Sequence, residues 1–175
     1  VFFIPQWFGV FSLGSVIVLW ALFLLIEFTD VFDGAIARGR GQVTDLGRLF
    51  DPFADVFCRL TYFVAFAVTG IMPVWIFMII VYREFSITFL RLVVYKRGLA
   101  LGARQGGKLK SVVYFLSAFA SLVVVTMERA DVLLQFRFHA GMTTIVLYMA
   151  AALLALLSFG DYVRVALRES RKTKA

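Results

Sequence analysis

With a single cysteine in 175 residues, the chain can form neither an internal disulfide nor a cysteine metal cluster. Cys58 reads as a small apolar packing residue. The one histidine, His139, sits beside an expected outer loop and reads as an interfacial side chain rather than a catalyst. Charge is also sparse, at 17%, against 62% hydrophobic and 17% aromatic residues. With a mean hydropathy of +0.90, this is more apolar surface than a soluble core of this size can hide, so the solvent is lipid. No repeat or low-complexity segment is present, and the short loops leave no room for a second folded unit. Residues 1–175 read as one transmembrane domain.

A helix crossing roughly 30 Å of hydrocarbon needs about 20 mostly apolar residues. Six such spans fall near 1–11, 14–38, 46–70, 73–97, 109–127 and 141–166, with Gly or charged residues at most breaks. The fold class is therefore all-α, an integral membrane bundle of six transmembrane helices with the first truncated at its N-terminus. Val1 opens directly on apolar sequence without Met or a charged n-region, so a signal peptide is not the natural reading.

The net charge of +7 is one-sided. Arg38, Arg40 and Arg48 share one loop, Lys96, Arg97, Arg104, Lys108 and Lys110 gather at the next but one, and Arg164, Arg168, Arg171, Lys172 and Lys174 form the tail. Six spans put all three groups on one side, where the opposite loops offer only Arg129 and Arg137, offset by Glu128 and Asp131. The positive-inside rule makes the basic side cytoplasmic, which predicts a bacterial cytoplasmic (inner) membrane protein with its active site facing the cytoplasm. Basic juxtamembrane segments also account for the charge by attraction to anionic lipid, without nucleic acid.

The chemistry lies in Asp30-Val31-Phe32-Asp33-Gly34-Ala35-Ile36-Ala37-Arg38 and, after a short polar loop, Gly47-Arg48-Leu49-Phe50-Asp51-Pro52-Phe53-Ala54-Asp55. Asp30 and Asp33 are three apart and Asp51 and Asp55 four apart, so each pair projects from one helix face. Two antiparallel neighbours bring both faces together near the cytoplasmic surface. Intramembrane aspartates are costly, on the order of 3 kcal/mol each at mid-bilayer. Two divalent cations, Mg2+ or Mn2+, would offset them, since all-oxygen ligands suit hard metals and paired metals suit phosphoryl chemistry. Gly34, Ala37 and Gly47 leave room for a flat base or a pyrophosphate to approach the backbone. Glu27, one turn deeper than Asp30, and Arg59, one turn beyond Asp55, are predicted to form a buried ion pair beneath the metals.

DxxDGxxAR followed by GxxxDxxxD resembles the signature of the CDP-alcohol phosphotransferase family at every defined position. The resemblance implies CDP-diacylglycerol as donor, an alcohol acceptor and CMP as product. It further implies Asp30, Asp33, Asp51 and Asp55 as metal ligands, Asp55 as catalytic general base, Asp30, Gly34, Ala37, Arg38 and Gly47 as the CDP pocket, and a homodimer. Arg83, Glu84 and Arg91, with Gly107, Lys108, Lys110 and Ser111, Thr44 and the Asp51-Pro52-x-Ala54-Asp55 wording, are similar to the phosphatidylglycerophosphate synthase branch. Val56 departs from it, standing where a basic residue is frequent. A second cationic cluster suits an acceptor that carries its own phosphate, and Arg91, Arg104, Lys108 and Lys110 are its candidates. Glycerol 3-phosphate is then the expected acceptor. The alternatives are the same transfer to inositol phosphate, inositol, serine or choline, or, in a different class, a divalent cation transporter. The transporter explains the acids but not the spaced Gly, Ala and Arg.

Overall fold

A computed structural model of the chain describes the backbone of residues 13–40, 45–96 and 105–172 and the side chains of residues 14–29, 53–93 and 109–165. It is all-helical: α1 (Leu13–Arg40), α2 (Asp45–Val68), α3 (Val74–Lys96), α4 (Gln105–Ala130), a 3-10 turn (Leu134–Phe136) and α5 (Arg137–Lys172). These five helices fall on the second to sixth expected spans. The first, 1–11, lies outside the described residues. α5, at 36 residues, outruns its span at both ends, because the helix continues through Arg137 and His139 at its start and Arg168 to Lys172 at its end, where polar residues interrupt the apolar run.

Two apolar stretches, Leu109–Ala130 and Leu134–Val165, are long and apolar enough to cross a membrane, and Gly14–Thr29 is a shorter one. Large apolar side chains also stand exposed on every helix, among them Leu25, Phe57, Phe89, Phe115 and Leu157. That surface is costly in water and ordinary in lipid. The chain is a membrane protein.

The α2–α3 connection is tight. Gly70 adopts φ +78°, the left-handed conformation that ends helices and that a side chain would strain. Its N–H donates to the Ala67 carbonyl at 3.2 Å, and that of Met72 to Phe66 at 3.0 Å. Pro73 then opens α3, where a missing N–H costs nothing, and its carbonyl accepts from Ile76 at 3.0 Å.

The most extensive packing is between α4 and α5, followed by α3 with α5, α2 with α3 and α1 with α4. Small residues make the α4–α5 approach possible. Ser117, Ala118 and Ser121 on α4 and Ala151, Ala155 and Ser158 on α5 are all buried, the small-residue spacing that lets membrane helices close on one another. Tyr148 and Ser121 share a buried hydrogen bond of 2.6 Å, and Phe63 of α2 packs edge-on against Tyr114 and Tyr148. α1 docks antiparallel along α4. Ser15 accepts from Arg129 at 3.1 Å, the Trp20 indole donates to Thr126 at 3.0 Å, and Phe23 stacks on Phe115. These contacts hold the C-terminal half of α1 and the N-terminal half of α2 at one end of the bundle.

Candidate active site between α1 and α2

Helical geometry in the C-terminal half of α1 and the N-terminal half of α2 sets the site. Asp30, Asp33, Gly34, Ala37 and Arg38 all fall within α1, and Gly47, Asp51 and Asp55 within α2. The expected i,i+3 and i,i+4 spacings of the acids are thus spacings on helices. The side chains of Asp30, Asp33, Arg38 and Asp51 lie outside the described ones, as do Arg104 and the side chain of Lys108.

Asp55 is described, and it lines a cavity of about 250 Å3 between the two helices. Leu25, Ile26, Glu27 and Thr29 form one wall, and Ala54, Cys58 and Arg59 join Asp55 on the other. Glu27 and Arg59, expected at one depth from antiparallel counting, do share this cavity. The Tyr62 hydroxyl donates to Glu27 Oε1 at 3.5 Å, and Arg59 donates to Ser111 Oγ of α4 at 3.3 Å. Cys58 corrects the sequence reading: it is exposed on the cavity wall rather than packed in a core. It lies three residues after Asp55, so the helix turns both toward the same opening.

Behind this cavity lies a charged cluster. Arg83, Glu84 and Lys110 are all buried, at 6%, 7% and 5% exposure. The Glu84 carboxylate accepts from the Arg83 guanidinium at 2.9 Å, from the Lys110 ammonium and from the Tyr114 hydroxyl at 3.3 Å. Arg83 also donates to Ser158 Oγ of α5 at 2.9 Å. Two cations against one anion leave this group with one net positive charge. Near it on α3, Arg91 donates to the Tyr162 hydroxyl at 2.8 Å, with its guanidinium carbon 5.4 Å from that ring's centre. The Nε–H groups of both Arg83 and Arg91 are buried without an acceptor, which in an apolar interior is costly.

Of the residues expected to face an acceptor phosphate, Lys110 thus has its ammonium on Glu84, and Arg91 sits between α3 and α5. The sequence shows Arg83 and Glu84 only as part of a cationic cluster. The structure makes Glu84 its hub, and the signal available beforehand was the cost of an intramembrane carboxylate, which calls for a cationic partner.

The donor set fits a hard divalent cation in its chemistry: aspartates on two facing helices and no histidine or thiolate cluster. Among the described residues no three His, Cys, Asp or Glu side chains gather into a metal site, and only one of the four aspartates has its side chain among them.

Comparison with known proteins supplies the family. The profile of the CDP-alcohol phosphatidyltransferase family matches residues 1–166. The chain is 35% identical over 157 residues to the "CDP-diacylglycerol--glycerol-3-phosphate 3-phosphatidyltransferase" of Treponema pallidum (strain Nichols), covering 89% of this chain and 70% of that protein. It is 35% identical to a "Probable phosphatidylglycerophosphate synthase" of Mycobacterium tuberculosis (strain CDC 1551 / Oshkosh), over 87% of this chain and 68% of the relative. A Bacillus subtilis (strain 168) protein with the same name as the Treponema one is 32% identical over 58% of this chain and 53% of its own length. No solved structure matches the chain. A family match over nearly the whole chain, with the family's aspartates on facing helices and one of them on a cavity wall, has one meaning: the chain belongs to the CDP-alcohol phosphatidyltransferase family, a family of enzymes.

Proposed function

We propose that the protein transfers the phosphatidyl group of CDP-diacylglycerol to a hydroxyl of glycerol 3-phosphate and releases CMP. The observation that carries this reading is Asp55 on the cavity wall between the two helices that bear the family's aspartates. The names of the relatives, which specify this donor and acceptor, support it.

Asp30, Asp33, Asp51 and Asp55 are the ligands for the divalent cations on which this family generally depends. Bound there, the cations supply neutralisation of the pyrophosphate's negative charge. Gly34, Ala37, Gly47 and Arg38 hold the CDP portion. Asp55 accepts the proton of the acceptor hydroxyl as that oxygen bonds to the phosphorus bearing diacylglycerol. The bond from that phosphorus to the CMP oxygen breaks, and CMP leaves with the electron pair. No covalent intermediate with the protein is needed.

The acceptor's phosphate is held by Arg91, Arg104, Lys108 and Lys110, the last of which also bonds Glu84. The buried Arg91 Nε–H that lacks an acceptor, near a cluster with net positive charge, supports an anion there. Choline or serine would not call for these cations. Arg91→Gln is expected to raise KM for glycerol 3-phosphate by roughly 10- to 100-fold, the loss of a charge-assisted hydrogen bond. KM for the CDP-lipid should stay within about twofold in the same steady-state CMP assay. Equal effects on both substrates would reassign Arg91 to structure.

In the membrane, the protein is a six-span bundle with the acidic site on the cytoplasmic face of a bacterial inner membrane. The basic residues at the α1–α2 and α3–α4 ends and in the tail support this orientation. A homodimer is part of the reading. The exposed stripe Trp75, Met78, Tyr82, Phe85, Phe89 and Leu92 along α3 repeats at alternating three- and four-residue steps, the seam that pairs helices.

A further inference from the structure

We infer that the segment from the end of α4 into the first turn of α5, residues 131–138, is a membrane-interface wedge, seated in the headgroup–acyl boundary of the leaflet opposite the acidic site. It presents Val132, Leu133, Leu134, Phe136 and Phe138 to lipid.

Its depth follows from charge. α4 carries no Asp, Glu, Lys or Arg between Lys110 and Glu128, and α5 carries none between Arg137 and Asp161. These uncharged runs, residues 111–127 and 138–160, are close to the about 20 residues that hydrocarbon needs, and they end together at Glu128 and Arg137, which are paired. Both helices therefore leave the hydrocarbon at the same level, and the segment joining them lies at the headgroups. It is the far end from Asp55, because α4 starts beside α2's acidic half, where Arg59 meets Ser111, and ends at this loop.

At that level a water-facing loop would be polar, yet here the apolar side chains point away from the protein. Val132 is 45% exposed, Phe136 52% and Phe138 73%, and the 3-10 turn buries no residue. The backbone is held in this arrangement rather than left loose. Asp131 and Leu133 adopt φ 55° and 52°, a left-handed conformation uncommon for non-glycine residues. The Val132 N–H donates to the Met127 carbonyl at 3.3 Å and that of Phe136 to Leu133 at 2.9 Å. Arg137 clamps the base to Glu128 at 2.8 Å, and Arg129 ties it to Ser15 of α1. Glu128, Arg129, Asp131 and Arg137 sum to zero charge, so the match is to a lipid boundary as such, with apolar side chains in the acyl region and charges among the headgroups. An apolar stretch of 32 residues, Leu134–Val165, exceeds the length needed to span, and its surplus lies here. This inference needs only that α4 and α5 cross the bilayer and is independent of the acceptor assignment.

The test uses the full chain with Cys58→Ser, spin-labelled at Leu134→Cys or Phe138→Cys, in nanodiscs of phosphatidylcholine and phosphatidylglycerol. Val146→Cys, mid-α5, is the hydrocarbon reference, and free label in buffer the aqueous one. Power saturation with oxygen and a water-soluble nickel complex is expected to place both labels about 5–10 Å below the phosphates. Nickel access like that of free label would overturn the wedge. So would low access to both reagents, which would mean that protein covers the segment. With Cys58 retained, Phe138→Trp in vesicles with brominated acyl chains should show more tryptophan quenching than the parent. No added quenching would overturn it too.

Discussion

Replacing Asp55 by Asn is expected to lower turnover by roughly 100- to 10,000-fold, the usual contribution of a positioned general base. Asn keeps the size and one carbonyl oxygen of Asp55, so the cavity between α1 and α2 keeps its shape, but it cannot take the acceptor's proton. Binding of the CDP-lipid should be largely spared, because Gly34, Ala37, Arg38 and Gly47 are unchanged. Asp33→Asn should differ in kind: assigned to the metal alone, it should regain rate as Mg2+ or Mn2+ is raised, whereas Asp55→Asn, which also lacks the base, should stay slow at saturating metal. The two variants are distinguished by CMP release across a metal titration together with equilibrium binding of the CDP-lipid. Full activity in Asp55→Asn would remove it as the base.

The second large effect is on stability. Glu84→Ala removes the one carboxylate on which Arg83, Lys110 and Tyr114 converge. It leaves two buried cations without their counter-charge, in the context that costs about 3–5 kcal/mol when one member of a buried pair is deleted. Unfolding of the purified protein in mild detergent should show that loss. Adding Lys110→Met to Glu84→Ala should recover a substantial part of it, because the second cation no longer needs a partner. Purely additive losses would show that Glu84 and Lys110 do not act as a pair. The same variant bears on function, since the cluster ties α3 to α4 and α5 immediately behind the cavity wall formed by α2.

How far these features were legible depended on the range over which each is encoded. The helices α1 to α5 were readable because apolar runs broken by Gly70, Pro73 and polar loops encode them locally. α5's ends were missed because Arg137 and His139 at its start and Arg168 to Lys172 at its end interrupt the apolar run while the helix continues through them. That Glu27 and Arg59 reach one cavity with Asp55 was readable too, since one helical turn from each aspartate on antiparallel neighbours leads to the same depth. Glu84's partners were not. Lys110, Tyr114 and the Arg83–Ser158 contact join positions 26, 30 and 75 residues apart, and no spacing rule pairs these positions across the α3–α4 connection or across the two connections to Ser158. Cys58 was misjudged for a related reason: composition favours burial of a lone thiol, but its helix turns it to the cavity with Asp55. CDP chemistry came from resemblance to the family, as carboxylate spacing alone leads only to divalent metal.

The central claim is tested most directly by supplying the purified protein, in nanodiscs with Mg2+ or Mn2+, with CDP-diacylglycerol and each of glycerol 3-phosphate, inositol phosphate, inositol, serine and choline. CMP release and the lipid product are then measured together. The expected result is CMP and phosphatidylglycerophosphate in equal amounts with glycerol 3-phosphate, abolished by chelation of the metal. Absence of CMP release with every acceptor would contradict the account.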